Sequence, residues 1–432
     1  MAGYADPGFD TLALHAGAAP DPATGARATP LHLTTSFVFD SSDHAAALFN
    51  LERGGHVHSR LSNPTNAVLQ QRMAALDGGI GAITTASGQA ALHLAIATLT
   101  GAGGHIVASG GLCGASHSLL HHTLRRFGIA TTFVPPGDPN AWRAAVQPNT
   151  RLFFGETVGS LAMEVLDIPT IAQVAHGARV PLLVDSTLTT PWLVQPLSHG
   201  ADLVLHSATQ FLSGHGTVVG GVVVDGGSFD WEASGQFPEL TSPCQGFQGM
   251  VFSEESTVGA FLLRARLEGL NDFGACMAPH TAWLVLQGVE TLSLRMERHM
   301  QNTERVVEFL ASHPLVARVA HPLLESHPSH SLAQQLLPRG AGAVFSFDMK
   351  GSLAQSKAMV DHLKVFSHAA SAGNCRSLVV HPASTTHARM DAAALAAAGI
   401  GQGTVRLSIG LEDAADLLDD LQRGLKTAAK AV

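Results

Sequence analysis

Short apolar runs that alternate with helical stretches constrain this chain of 432 residues more than any other feature. Runs that are apolar at nearly every residue are typical of strands buried on both faces, as in a parallel sheet covered by helices. The alternation therefore predicts a doubly wound α/β domain, mostly parallel, whose ligand lies at the carboxyl ends of the strands. The predicted strands are 81–85, 105–108, 131–134, 152–155, 181–185, 201–206 and 217–224.

The same patterns predict three segments along the chain. Residues 1–66 form an extended, loop-rich arm, and residues 67–289 form the large α/β domain. A long helix over about 281–311 leads into a smaller α+β domain at 290–432. We expect strands at 342–348 and 403–409 in that domain, followed by a closing helix at 413–428.

Composition and charge exclude several classes of protein. Hydrophobic residues make up 46% of the chain and charged residues only 14%, which excludes a disordered or fibrous chain. The net charge of −9 argues against nucleic-acid and acidic-membrane partners. No apolar run is long enough to span a bilayer, and the start does not resemble a signal peptide. Four widely spaced cysteines without a Cys-x-x-Cys motif predict reduced thiols in a cytoplasmic protein.

Lysine and tyrosine are unevenly distributed, and this limits the possible chemistry. The one tyrosine is Tyr4, and residues 1–349 contain no lysine. Any reaction carried out by the large domain must therefore proceed without a lysine amine or, beyond Tyr4, a tyrosine phenol. The lysines are Lys350, Lys357, Lys364, Lys426 and Lys430.

Two predicted strand ends carry groups that suit an anion. The strand at 81–85 runs into Ser87, Gly88 and Gln89 and then a helix, whose first N–H groups would face an anion. A tight strand-helix turn without a ligand explains the same residues. The strand at 201–206 is followed by Ser207 and Thr209, whose hydroxyls suit either a phosphate or a helix cap.

Two charged side chains lie within or directly after apolar strands. Asp185 ends the strand at 181–185, and a buried carboxylate there needs a partner. A protonated heterocycle nitrogen or backbone N–H groups would serve. Arg406 lies inside the strand at 403–409, where its guanidinium would pair with a protein carboxylate or with the carboxylate of a substrate.

Together these segments resemble the Cys/Met-metabolism family of pyridoxal-phosphate (PLP) enzymes of fold type I, with the O-acetylhomoserine sulfhydrylases as the nearest branch. The resemblance runs from DTLALHAG at 10–17 to VRLS at 405–408 and so covers nearly the whole chain. Segment 229–240 resembles that branch rather than the shorter cystathionine-type relatives. Other matching segments are SRLSNPTN at 59–66, SGQA at 87–90, ET at 156–157, VD at 184–185, HSAT at 206–209, GHGT at 214–217 and SLVVHPASTTH at 377–387.

The resemblance implies a PLP site that acts on a small amino acid. It implies that the arm brings Arg60 to the phosphate of a neighbouring subunit, which gives catalytic dimers within a homotetramer. It also implies phosphate contacts from the backbone of Gly88 and Gln89 and from the hydroxyls of Ser207 and Thr209, a pyridine-nitrogen contact from Asp185, and a substrate-carboxylate contact from Ser377 and Arg406.

The lysine that holds PLP in this family follows the Ser-Ala-Thr triplet, and here Gln210 stands in its place. An amide nitrogen is not nucleophilic, so the resemblance implies non-covalent binding of pyridoxal 5'-phosphate. Loss of a positioned acid-base group typically slows a reaction by roughly 10²–10⁴-fold. Because several family positions differ together, we interpret the set as a natural change of function rather than one laboratory substitution. The other departures are His58, Cys113, Ser160 with Leu161, Ser186 and Ser371.

Two of these departures are candidate replacements for the lost groups. His58 stands where the family has a tyrosine, and could contact phosphate or transfer protons. Cys113 stands where the family has an aromatic side chain, and could act as a nucleophile if its thiolate is stabilised. A small apolar side chain that fills the space left by the aromatic is the simpler explanation of Cys113. His206 is common to the family, so we expect it to be structural. His117 and His121 with Cys113 have helical spacing for zinc, but no further ligand completes the set and we expect no metal.

Three hypotheses about function remain open at this point. The first is an O-acetylhomoserine sulfhydrylase-like enzyme of sulfur amino-acid metabolism that binds PLP non-covalently and catalyses replacement, elimination or an altered reaction. The second is a non-catalytic member that pairs with an active homologue in a hetero-oligomer, or a ligand-binding regulator. The third is PLP-independent chemistry at Cys113.

Overall fold

A computed structural model gives the fold of residues 6–159, 161–255, 259–388, 395 and 399–430. The described residues contain two β-sheets, one of seven strands and one of five. Helices cover both sheets, so the structure is of the α/β class. No helix among the described residues combines the length and apolarity needed to cross a membrane.

All seven apolar runs of the first part of the chain form strands of one sheet. The strand order is β1-β7-β6-β5-β4-β2-β3, and β7 is the one strand of this sheet that runs antiparallel to its neighbours. The central residues of these strands are buried except in the edge strand β3, where they are half-buried, and this burial explains the apolar runs. The strands are β1 Gly81–Thr85, β2 His105–Ser109, β3 Ala130–Val134, β4 Thr150–Glu156, β5 Leu182–Asp185, β6 Leu203–Ser207 and β7 Gly221–Asp225.

The N-terminal arm contains more regular structure than we predicted. Two short helices, α1 Phe9–His15 and α2 Ser42–Phe49, interrupt its irregular backbone. Ser41 caps α2 by accepting a hydrogen bond from the His44 backbone N–H. Several large apolar side chains of the arm are exposed in the single chain, among them Val38 (94%), Leu33 (70%) and Phe49 (66%).

The helices of the large domain follow the strands and cover the sheet. Asn63 caps α3 and Ser87 caps α4, each through its side chain, and Gly78 ends α3 in the left-handed conformation that glycine favours. The helices are α3 Pro64–Asp77, α4 Gly88–Leu99, α5 Gly114–Ser118, α6 Pro139–Ala144, α7 Ile168–Gly177, α8 Thr190–Leu193, α9 Trp231–Ser234, α10 Pro238–Thr241, α11 Phe252–Glu255, α12 Ala260–Arg264 and α13 Asn271–Phe273.

The prediction of one long helix over 281–311 is wrong. The structure has two helices there, α14 Pro279–Val289 and α15 Leu292–Ser312, because Thr291 adopts a non-helical backbone with φ −114° and ψ 16°. The break lets Arg295 of α15 turn back and donate hydrogen bonds to the carbonyls of Phe211 (2.7 Å) and Leu212 (3.3 Å).

The C-terminal part forms the second sheet, in the order β10-β11-β12-β9-β8. The two strands and the closing helix predicted for this part are confirmed at β9, β12 and α18. The predicted domain boundaries themselves stay a prediction. The elements are β8 Val316–Ala320, α16 His330–Leu336, β9 Val344–Met349, α17 Leu353–His362, β10 Ser367–His368, β11 Leu378–Val380, β12 Thr404–Ser408 and α18 Ala414–Ala428.

Asp225 makes the stability of the large domain depend on pH. Its side chain is buried at the end of β7, where Oδ1 accepts the Gly227 backbone N–H (2.8 Å) and Oδ2 has no hydrogen-bond partner among the described residues. Burial raises the pKa of Asp225 to about 6, from 3.8. The ionised carboxylate therefore destabilises the fold by ~3 kcal/mol at neutral pH, and this penalty grows as the pH rises from about 4 to about 6.

We expect Asp225→Asn to raise the thermal midpoint at about pH 8 and to raise it less at about pH 5, because the amide mimics the neutral acid. Thermal unfolding followed by circular dichroism at both pH values measures the difference. Asp419→Asn, the same change at an exposed position, is the control. An equal effect of Asp225→Asn at the two pH values would contradict the assignment.

Candidate active site

A cavity of about 270 Å³ lies at the carboxyl ends of β4, β5 and β6. Parallel strands bring residues distant in sequence to this edge of the sheet, and Val344, Ala372 and Arg406 from the C-terminal part close it. Its volume is at the small end of the range for ligand cavities. The predicted site residues that it brings together are Gly88, Gln89, Cys113, Asp185, Ser207, Thr209, Gln210 and Arg406.

One end of the cavity has the form of an anion cradle. The first turn of α4 carries Gly88 and Gln89, whose N–H groups have no acceptor within the helix. A Cβ atom at Gly88 would lie 2.5 Å from the Cβ of Ser207, so only glycine leaves this approach open. Thr209 lies beside it, with Oγ1 accepting the Gly220 N–H (3.1 Å). Helix N–H groups and hydroxyls converging here fit a phosphate.

Two carboxyl groups lie side by side in the cavity. Glu156 and Asp185 are paired in the parallel register of β4 and β5, and both line the cavity. Asp185 Oδ1 accepts the Thr187 N–H (2.9 Å), and Glu156 Oε1 accepts the Cys113 N–H (2.7 Å). Burial raises the pKa of Asp185, and burial together with the Asp185 charge raises the pKa of Glu156 well above its ordinary value.

A buried carboxyl at Asp185 fits the protonated ring nitrogen of a pyridoxal cofactor, since it lies in the same cavity as the anion cradle. Sequence reasoning treated Glu156 only as part of a matching motif and missed its place beside Asp185. Its position directly at the end of an apolar strand, as with Asp185, is the signal that could have found it.

Gln210 lines the floor of the cavity, in the turn after β6. Its Oε1 atom is buried without a hydrogen-bond partner in the described part of the chain. A Cβ atom at Gly373 would lie 2.7 Å from the Gln210 Cβ, so the segment after Ala372 packs directly on this turn. Position 210 is therefore filled by a neutral, closely packed amide.

Cys113 lies at the rim of the cavity. Cys113 as a whole residue is exposed in the single chain. Its thiol group is nevertheless largely surrounded by protein atoms. Burial first, and the Glu156 charge second, raise the pKa of Cys113. The structure therefore argues against the stabilised thiolate that a nucleophilic Cys113 would need.

The two residues expected to bind a substrate carboxylate are placed differently. Arg406 lines the cavity, and none of the ion pairs among the described residues includes it. Ser377 is fully buried outside the cavity lining. Its Oγ donates to Glu412 Oε2 (2.9 Å) and accepts the Gly410 N–H (2.8 Å). The role of Ser377 in substrate binding stays a prediction.

Arg60 and His58 lie outside the cavity of their own chain. The Arg60 guanidinium donates to Asn271 Oδ1 (3.2 Å) and is exposed. His58 Nδ1 accepts the Arg60 backbone N–H (3.1 Å). Their expected contact with a neighbouring subunit's phosphate stays a prediction.

Among the other departures from the family, Ser186 forms a hydrogen bond with Thr189 (2.8 Å), Ser371 is exposed, and Ser160 lies outside the described residues.

The remaining histidines have structural surroundings. His206 Nε2 lies 2.9 Å from Asp77 Oδ2, and both side chains are fully buried. The ring of His117 stacks on Phe133 with centroids 4.4 Å apart, and His121 stacks on His117 at 5.4 Å. Within the described residues, His, Cys, Asp and Glu side chains form no group of three that could hold a metal ion.

Comparison with known proteins adds independent findings. Residues 10–426 match the family described as Cys/Met metabolism PLP-dependent enzyme. The chain is 46% identical over 426 residues to an O-acetyl-L-homoserine sulfhydrylase of Leptospira meyeri, covering 96% of each chain. It is 44% identical over 422 residues to a homocysteine synthase of Schizosaccharomyces pombe, covering 97% of this chain and 98% of that one.

Solved structures show the same architecture, PLP fold type I. A Campylobacter jejuni protein described as an O-acetylhomoserine (thiol)-lyase superposes with a TM-score of 0.94 at 35% identity, covering 97% of this chain and 100% of that one. That crystal structure contains N'-pyridoxyl-lysine-5'-monophosphate. A cystathionine gamma synthase of Xanthomonas oryzae superposes with a TM-score of 0.85 at 32% identity, covering 99% and 100%.

The surroundings of Cys113 predict a slow thiol. We expect iodoacetamide to alkylate Cys113 more slowly at about pH 7 than it alkylates N-acetylcysteine, because the thiolate is disfavoured. Mass spectrometry of the peptide that contains Cys113 measures the rate, with Cys113→Ser as the blank. A rate equal to or above that of the free thiol would refute the assignment.

Proposed function

Since the chain belongs to the Cys/Met metabolism family of PLP-dependent enzymes, we propose that it is an O-acetylhomoserine sulfhydrylase-like protein that binds pyridoxal phosphate without a covalent bond and acts on a small amino acid. The observation that carries this proposal is the retention of the anion cradle, Asp185 and Arg406 in one cavity whose lysine position holds Gln210. The names of the relatives support an amino acid with a γ-leaving group as the substrate.

Each retained group has a distinct task in this proposal. The first turn of α4, with Ser207 and Thr209, would bind the cofactor phosphate, and Asp185 would hold the ring nitrogen protonated. Arg406 would bind and orient the substrate carboxylate through its two-pronged guanidinium. When bound, pyridoxal phosphate supplies an electron sink for bonds at the α-carbon of an amino acid. The apolar side chains of Val158, Leu188 and Val344, which line the cavity, would help to exclude water from it.

The proposal includes assembly with further copies of the chain. The exposed apolar side chains of the arm, Leu33, Val38 and Phe49, suit burial against another subunit. Arg60 lies outside its own cavity and is free of any acidic partner among the described residues, which supports a contact with a neighbour's phosphate. We therefore propose catalytic dimers within a homotetramer, located in the cytoplasm.

A second candidate is a non-catalytic subunit that pairs with an active homologue and lends Arg60 to the homologue's site. The same placement of Arg60 favours it, because a subunit can lend this residue whether or not its own cavity works. Co-purification with an active homologue in equal amounts would support this candidate. PLP-independent chemistry at Cys113 is the weakest candidate, because the thiolate is disfavoured there.

We expect the unmodified protein to bind pyridoxal phosphate reversibly, with a change in visible absorbance that gel filtration removes. Borohydride treatment should leave no cofactor attached to the cavity peptides, because Gln210 has no amine to link to the aldehyde. Absorbance titration followed by mass spectrometry tests both points. No binding at saturating cofactor would refute the proposed function.

We expect Gln210→Lys to make cofactor attachment at residue 210 stable to borohydride, because the restored amine would lie beside the retained cradle. Mass spectrometry of the peptide that contains position 210 measures attachment. Gln301→Lys, which adds a lysine on an exposed face of α15, is the matched control for chance reaction with a new amine. If both variants attach cofactor equally, or neither does, the cavity does not hold pyridoxal phosphate as proposed.

A further inference from the structure

We propose that Glu156 is the proton carrier of this cavity and holds the proton that a lysine amine at position 210 would otherwise move. This inference rests on the proposed function, because it concerns the same cavity with its cofactor bound. It assigns a role to a buried titratable group that the family resemblance left without one.

The geometry leaves one oxygen of Glu156 available. Oε1 accepts the Cys113 backbone N–H (2.7 Å), which fixes the orientation of the carboxyl group. No hydrogen bond among the described residues engages Oε2, and the side chain lines the cavity. A cavity of about 270 Å³ is small, so a ligand that fills it contacts the groups on its walls. A carboxyl anchored at one oxygen and open at the other is suited to give and accept a proton.

The other titratable groups of the described lining are unsuited to this task. They are Cys113, Asp185 and Arg406. Arg406 does not lose its proton at ordinary pH. Asp185 is committed to the ring nitrogen in the proposed function, and the Cys113 thiol is a weak acid at the rim. The described lining contains no histidine, lysine or tyrosine.

The surroundings of Glu156 disfavour its charged form. Asp185 acts on Glu156 from β5, and the Cys113 backbone N–H donates to it from the start of α5. Arg406 on β12 acts on Cys113, and His206 on β6 acts on Asp185. Burial and the Asp185 charge raise the pKa of Glu156, which is the direction of shift that a carboxyl needs to act as a general acid-base group.

The proton transfer balances without any further reactant. The carboxylate of Glu156 takes the α-proton of the substrate: the C–H bond breaks, its electron pair stays on the substrate, and an Oε2–H bond forms. The reverse transfer returns a proton to the substrate and regenerates the carboxylate. The residue thus ends each cycle in the state in which it began.

Glu156→Gln is the test variant, because the amide keeps an oxygen to accept the Cys113 N–H while it removes the proton. Glu164→Gln, the same change at an exposed position, is the matched control. Glu156→Asp keeps an acid and serves as the second variant if the glutamine protein has a lowered thermal midpoint.

The first measurement is the dissociation constant of pyridoxal phosphate from about pH 5 to about pH 9. We expect two ionisation steps in the unmodified protein and in Glu164→Gln, one for each carboxyl of the pair. Glu156→Gln should lose the upper step and keep the lower one. A purely structural role for Glu156 would change affinity at all pH values without removing a step.

The second measurement is exchange of the α-hydrogen of O-acetyl-L-homoserine in D₂O, followed by NMR with cofactor-loaded protein. We expect Glu156→Gln to slow exchange by roughly 10²-fold or more, and Glu156→Asp to slow it less. Unchanged exchange and an unchanged upper step in Glu156→Gln would overturn the inference while cofactor binding still upholds the proposed function. Absence of exchange in the cofactor-bound unmodified protein also overturns it. Absence of cofactor binding overturns both.

Discussion

The parallel pairing of β4, β5 and β6 is the constraint on which the rest of the site depends. Parallel strands end at the same edge of a sheet, so Glu156, Asp185 and Ser207 meet there although they are far apart in sequence. The pairing places two carboxyl groups in adjacent register, where desolvation and mutual repulsion disfavour full ionisation of both. Such a pair is stabilised by a positively charged group or by a proton shared between the two carboxyls.

Buried ionic groups behind the cavity hold this edge in place. Asp77 at the end of α3 pairs with His206 on β6, and both are fully buried, so removal of either would leave an uncompensated polar group. Arg295 is buried in α15 and donates to the carbonyls of Phe211 and Leu212, directly after Gln210. The turn that carries position 210 is therefore fixed by contacts that do not involve the side chain at that position. This explains how the surrounding cradle can persist without a lysine.

The change at position 210 alters the electrostatics of the cavity as well as its chemistry. Gln210 is a neutral amide, and Arg406 is the one cation in the described lining. The carboxyl pair is consequently more dependent on protonation, or on a charged ligand, for its stability. The proposed role of Glu156 follows from this balance, since a site without a lysine needs another group to hold its proton.

The sequence by itself determined the strands of the large sheet, because a strand buried on both faces must be apolar along its length, and all seven runs are strands. It also determined that Gly88, Asp185, Ser207 and Arg406 belong to one site, through local motifs at strand ends and the family resemblance. Three features required the tertiary structure. The helix break at Thr291 lets Arg295 reach the carbonyl of Phe211, a contact that no local pattern signals. Ser377 bonds to Glu412, 35 residues away, and the protonation of Glu156 depends on Asp185 in the neighbouring strand. Local periodicity records which residues are buried, whereas the partner and the charge of a buried polar group are decided by whichever distant segment packs against it.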